Sequence, residues 1–339
     1  MVRVTYARLD TGAARAIADA LAGRVAGIAV DTSGSTGRPR EVLVSGEAIR
    51  AGVSLSSRRL GGDAHQLLAL PPERIGGALV IARATVAGTA LVRMPMGPFT
   101  AAGFAAAARS LPSGPRQVSL VPTQVRRLLA DPEGRDALAG FHAVLVGGAA
   151  LPERDAPSNI VRTYGMSETA GGCVYDGLAL DGVGLRIADD GRVMISGPTL
   201  ADGYADGHGA DFVEIDGERW FRTSDLGELH DGRLTVHGRA DHVINTGGVK
   251  VHPQRIELAL ERAGAAAAAV VGLPDPEWGE RVVAVVEDGP DDAALAAAVA
   301  DLPPYARPRR IVHVDAVPRT AGGKIDRPAA RALASEEDR

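Results

Sequence analysis

Residues 25–44 read "VAGIAVDTSGSTGRPREVLV", and the placement of this stretch decides the fold. "VAGIAVD" is a short apolar run with the character of a buried strand, and "VLV" at 42–44 returns as a second strand. Ser45 follows as a cap for a helix. Between the strands lie glycines and hydroxyls. Glycine lets a backbone approach a polyanion, while Thr32, Ser33, Ser35 and Thr36 supply donors for phosphate oxygens. The run lacks the Gly-Lys-Ser/Thr ending of a Walker loop and precedes a strand rather than a helix. Taken alone, it reads equally as a phosphate loop or as a flexible surface turn.

Outward from it, strand and helix patterns alternate. "QLLAL" 66–70, "TALVRM" 89–94, "QVSLV" 117–121 and "AVLVGG" 143–148 have strand character; "FAAAARS" 104–110 and "TQVRRLLAD" 123–131 have helical character. The alternation, with "GGALVIARATVAG" 76–88 among its units, predicts an α/β fold with parallel strands. From 180 to 238 the texture changes to short strands, with Asp-Gly hairpin turns at 216–217 and 231–232. A second unit begins near "GRADHVINTGG", 238–248. Its helix "PQRIELALERAG" places Ile256, Ala259, Leu260 and Ala263 on one face, and three further strands follow. The expected domains are 1–239 and 240–339.

Composition bounds the partners. At 339 residues the chain exceeds the usual size of one core. It is 45% hydrophobic and 23% charged, with a net charge of −5 and no basic face to argue for nucleic acid. Cys173 is the one cysteine, which excludes an internal disulfide and fits a reducing compartment. No apolar run is long enough to span a bilayer, and no signal region opens the chain, so a cytoplasmic protein is expected. A homodimer is compatible with the sequence.

Four further stretches carry chemistry. In "VRTYGMSETAGGCVYDG", 161–177, Tyr164 offers a flat face for a base and Glu168 a hard oxygen suited to Mg2+. In "WFRTSDLGEL", Asp225 can accept from two ribose hydroxyls, or can be an ordinary turn aspartate. In "GRADHVINTGGVKVHPQRIE", Arg239 can bridge phosphate or ribose oxygens. There, Gly247 and Gly248 permit a tight turn before Lys250, and Asp241 sits between the two units. "RTAGGKIDR", 319–327, holds Lys324. Of 37 basic residues only Lys250 and Lys324 are lysines.

Together and in this order, the five stretches resemble the signature motifs of the adenylate-forming acyl-CoA ligase superfamily, over nearly the whole chain. The resemblance implies a large ATP- and acyl-binding domain and a small mobile C-terminal domain. It also implies two half-reactions, in which ATP and a carboxylate give an acyl-adenylate and coenzyme A then displaces AMP. Thr32, Ser33, Gly34, Ser35, Thr36 and Gly37 would cradle the triphosphate. Gly148 and Ala149, with Tyr164, Gly165 and Met166, would enclose adenine and line the acyl pocket with Gly171. Ser167 would contact phosphate, Glu168 bind Mg2+, Asp225 hold the ribose and Arg239 touch phosphate or ribose. Asp241 matches the hinge, Gly247, Gly248 and Lys250 the coenzyme A tunnel, and Lys324, with Glu168 and Thr36, the catalytic set for adenylation. Charge neutralisation suits the chemistry, because carboxylate and ATP are both anions and the nucleophile is already ionised. A lysine is a compact charge on a flexible stem, unlike arginine's planar fork.

Within the superfamily, "YGMSETAGGCVYDG" and "LVPTQVRRLL" resemble the 2-succinylbenzoate–CoA ligases of menaquinone biosynthesis. There Arg83 would meet a carboxylate of the dicarboxylic acid. Three features depart from the pattern. The phosphate loop starts at residue 32, so the leading part of the N-terminal domain is expected to be reduced. It ends Pro39-Arg40-Glu41, which puts a negative charge near the triphosphate unless Glu41 points away. "PPERIGG" replaces a histidine near residue 74. The motifs leave open an aryl- or fatty-acid–CoA ligase, an enzyme loading a carrier protein, and a non-catalytic nucleotide-binding homologue.

Overall fold

The computed structural model describes residues 5–10, 12–32, 40–148, 157–320 and 323–336. Among them the strands form three sheets, of four, twelve and five strands. The opening stretch lies in the smallest. Gly27–Asp31 and Glu41–Ser45 pair antiparallel, Val30 opposite Val42 and Asp31 opposite Glu41. Val42 and Val44 face the core from alternate positions, as a period of two requires. The Ser45 hydroxyl accepts the Ala48 N–H at 3.1 Å and starts the helix Gly46–Arg59.

The expected parallel layer is the middle of the largest sheet. Leu91–Arg93, His65–Leu68, Arg116–Leu120, Ala143–Val146 and Ile160–Met166 lie side by side in that order, all parallel. Such strands are covered on both faces, hence their nearly continuous apolar runs. Val118, Leu120, Val144 and Val146 pack with Phe104 and Leu128 of the Ala101–Arg109 and Pro122–Leu129 helices. Ile160–Met166 is the seam: parallel to Ala143–Val146 on one edge, antiparallel to Gly171–Tyr175 on the other. The antiparallel region therefore begins earlier than the texture change at 180, because Cys173, Val174 and Tyr175 are core residues and read as apolar. Beyond it, the Asp216-Gly217 and Asp231-Gly232 turns join hairpin strands with φ of 55°, 77°, 49° and 74°, the signs of a type I′ turn.

The chain leaves this sheet at Arg239 and enters the five-stranded sheet at Ile244. On the Pro253–Arg262 helix, Ile256 and Leu260 are buried, with Ala259 and Ala263 packed beside them, the face that the sequence marks. Each of those two large side chains contributes about 1.5–3 kcal/mol by burial. No helix among the described residues is long and apolar enough to cross a membrane.

Candidate active site

Strand register builds the floor of the site. Glu218–His230 and Arg233–Arg239 pair so that Asp225 faces Arg239. From the seam strand, the Tyr164 hydroxyl donates to Asp225 Oδ2 at 2.8 Å. Burial raises the Asp225 carboxyl, while Tyr164, Arg239 and Lys324 act to hold it ionised. Burial and then the Asp225 charge push the Tyr164 phenol well above its usual range. Arg239 in turn grips Asp241 with Nε and Nη2, at 2.9 and 2.8 Å. Burial works against the Arg239 charge, but Asp241, Asp225 and Glu168 together outweigh it.

Glu168 sits in the short turn Ser167–Thr169 that follows the seam strand. The Thr169 hydroxyl fixes this turn, accepting the Met166 N–H at 2.9 Å and donating to the Gly171 carbonyl at 2.7 Å. Burial raises the Glu168 carboxyl, partly offset by its own backbone N–H, by Tyr204 and by Arg40. Tyr204 donates to Glu168 Oε1 at 3.0 Å. The Arg40 guanidinium lies 3.3 Å from the Tyr204 ring centroid, and its Nη1 is 3.0 Å from Asp211. Sequence reasoning misses Tyr204 and Asp211. A buried tyrosine hydroxyl always needs a partner, but which partner is a tertiary fact.

Arg40 also meets Thr32 at the base of the loop expected to bind phosphate. The Thr32 N–H and hydroxyl both donate to the Arg40 carbonyl, at 2.8 and 3.0 Å. Ser33, Gly34, Ser35, Thr36, Gly37 and Ala149 lie outside the described residues. Glu41 is engaged by Arg8 at 2.5 Å. Arg74, standing near the family's histidine position, donates to the Asp31 carbonyl at 3.0 Å and so ties its helix to the loop.

The helix Ile75–Ala87 packs on the strand Gly171–Tyr175, next to the seam. A Cβ at Gly171, where φ is 90°, would lie 2.1 Å from Leu79 Cδ1. A Cβ at Gly165 would lie 2.0 Å from the Gly171 carbonyl, so both glycines are required by close approach. Gly148, two residues beyond the strand Ala143–Val146, has φ of 84°. Arg83, one turn beyond Leu79, is half-buried and donates to Ser119 Oγ at 3.3 Å. Among the described residues it has no ion pair.

The two lysines occupy different hairpins. Thr320 N–H donates to the Lys324 carbonyl and Gly323 N–H to Thr320, each at 2.8 Å, and the lysine's charge acts on Asp225. Lys250 is exposed beside the Gly247-Gly248 turn, with φ of 57° and 77°. Burial lowers the nearby His252, and the charges of His237 and Lys250 lower it further. The structure thus gathers Tyr164, Asp225, Arg239 and Asp241, with the charges of Glu168 and Lys324 acting on them, while Arg83, on the helix Ile75–Ala87, lies apart with Ser119.

The family model for the AMP-binding enzyme matches residues 31–205, and that for the AMP-binding enzyme C-terminal domain matches 257–324. The chain belongs to the AMP-binding enzyme family. Among relatives, a probable 2-succinylbenzoate–CoA ligase of Mycobacterium tuberculosis is 44% identical over 92% of this chain and 85% of its own. Among solved structures, ATP-bound MatB from Rhodopseudomonas palustris superposes with a TM-score of 0.79 at 23% identity, covering 92% of this chain and 69% of MatB. The o-succinylbenzoate CoA synthetase of Bacillus subtilis, with its acyl-adenylate, gives 0.75 at 24% identity, covering 90% and 68%. These two likenesses show the fold of AMP-binding enzymes.

Proposed function

We propose that this AMP-binding enzyme is an ATP-dependent acid–CoA ligase whose acid is 2-succinylbenzoate. The observation that carries the reading is the polar cluster in which Tyr164 donates to Asp225 and Asp225 faces Arg239, with the charges of Glu168 and of Lys324 near enough to act on it. A carboxylate oxygen of the acid attacks the α-phosphate and pyrophosphate leaves. The coenzyme A thiol then attacks the acyl carbon: its C–S bond forms, the C–O bond to AMP breaks and the thiol proton is released. Lys324 reaches between carboxylate and phosphate, offsetting their repulsion as charge moves onto pyrophosphate. Asp225 receives the ribose, and Tyr164 both orients it and offers its face to the base. The loop opened by Thr32 and closed by Arg40 holds the triphosphate.

The family implies Mg2+. Among the described residues no three His, Cys, Asp or Glu side chains cluster to hold a metal. Glu168 alone suits an ion that arrives with the triphosphate and keeps phosphate and water ligands. When bound it neutralises phosphate charge.

In this reading residues 240–339 swing about Asp241. Lys250 with the Gly247-Gly248 turn then meets coenzyme A after rotation. The choice of acid is supported by the 44% identical relative and by Arg83, a half-buried charge in need of an anion. Mass detection of thioester products from ATP, coenzyme A and a panel of acids tests the proposal. 2-Succinylbenzoate is expected to give the dominant thioester. A thioester only with benzoate or a fatty acid overturns the choice of acid, and none with any acid overturns the ligase reading.

A further inference from the structure

Behind Arg83 the wall of the acyl side is polar where a core is usually apolar. Gln66 and Gln117 are register partners at the starts of two adjacent parallel strands, and each is only 2% exposed. Gln66 Nε2 donates to Gln117 Oε1 at 3.1 Å and to the Ala64 carbonyl at 3.0 Å. Three atoms here have no hydrogen-bond partner among the described residues: Arg83 Nε, Gln117 Nε2 and Gln66 Oε1. All three residues line one cavity of about 10 Å³, which Ser57, Asp63 and Ala87 also line. Leaving such groups unpaired costs about 1–3 kcal/mol each, so the pair is expensive unless something answers it.

The volume decides what that is. A carboxylate does not fit, whereas a cavity of about 10–15 Å³ holds one water. Two donors and one acceptor match a water that accepts twice and donates once, the usual coordination of a buried water. We propose that Gln66 and Gln117, bridged to Arg83 Nε by one internal water, are positioning residues that aim Arg83 at a second anionic group of the acid. With Nε held by the water and Nη1 by Ser119, the planar guanidinium has a single orientation. Its remaining N–H donors then face the acid along the helix that carries Leu79. The inference rests on the reading of Arg83 as the anchor of that second anion.

The test compares ATP–pyrophosphate exchange with 2-succinylbenzoate and with 4-oxo-4-phenylbutanoate, which lacks the ring carboxylate. Arg83→Gln is expected to raise KM for the first acid and not the second; if it does not discriminate, the Arg83 reading itself fails. Given that discrimination, Gln117→Leu is expected to raise KM for 2-succinylbenzoate about tenfold, with kcat, KM for ATP and KM for the analogue unchanged. Equal change with both acids, or no change with either, overturns the positioning role and leaves the Arg83 reading standing. Gln66→Leu is expected to behave alike. Should either variant fail to fold, the wild-type crystal structure decides. One water within hydrogen-bond reach of all three atoms supports the proposal, and a dry cavity overturns it.

Discussion

Arg126 Nη1 stands 2.7 Å from Glu261 Oε2, joining the Pro122–Leu129 helix to the Pro253–Arg262 helix across the two units. Both side chains are largely covered, so solvent screens this pair less than a surface bridge. Burial raises the Glu261 carboxyl and Arg126 acts to hold it ionised. In the proposed cycle this contact belongs to the adenylating arrangement, and Glu261→Gln removes its charge. Adenylation is expected to slow about three- to tenfold, while thioester formation from supplied acyl-adenylate does not slow. Separate rapid-quench measurement of the half-reactions checks it; equal losses in both would contradict the role.

Tyr204 donates to Glu168 and lies against Arg40. Tyr204→Phe keeps the ring stack and deletes the hydroxyl. A hydrogen bond to a charged group contributes about 1.5–3 kcal/mol, so kcat/KM for ATP is expected to fall tenfold or somewhat more. KM for the acid is expected to stay put. A titration of ATP at saturating acid decides it.

His242 carries a pH signature. Its Nδ1 accepts from Arg327 Nε at 3.0 Å, which requires a neutral ring. Burial, and then the Arg327 charge, push its pKa down from 6.5 to about 4. Between those values the unfolded chain binds a proton that the folded chain refuses. Stability from this residue is therefore complete above about pH 6.5 and lost as pH falls toward about 4. Thermal midpoints of His242→Gln are expected to fall less than wild type from about pH 7 to about pH 5. Parallel curves would remove His242 from the account.

The hinge reading makes an opposite prediction to the lysine. Asp241→Pro breaks the Arg239 pair and stiffens the connection. Adenylation is expected to remain within a few-fold of wild type, while thioester formation falls about tenfold or more. Unchanged thioester formation, measured by single turnover, would place the swing elsewhere.

What could be read from the sequence was local. Ser45 caps its helix, the Asp-Gly pairs turn their hairpins, and Ile256 and Leu260 face inward, because each follows from a few neighbouring residues. Tyr164, Asp225, Arg239 and Lys324 were legible as ordered motifs, and strand register places the first three side by side. The rest depended on register. Glu41 pairs with Arg8 across the intervening strand Gly27–Asp31 of the small sheet, and the Gln66–Gln117 contact exists only because their parallel strands align at that point. Tyr204 reaches Glu168 from a different strand. No spacing in the chain announces these.

The most direct test is ATP–pyrophosphate exchange driven by 2-succinylbenzoate in wild type and Lys324→Ala. The account predicts exchange in the wild type and its loss in the variant. The folded variant is expected still to convert supplied acyl-adenylate and coenzyme A to thioester. Exchange that survives in Lys324→Ala, or an equal loss of both half-reactions, would contradict it.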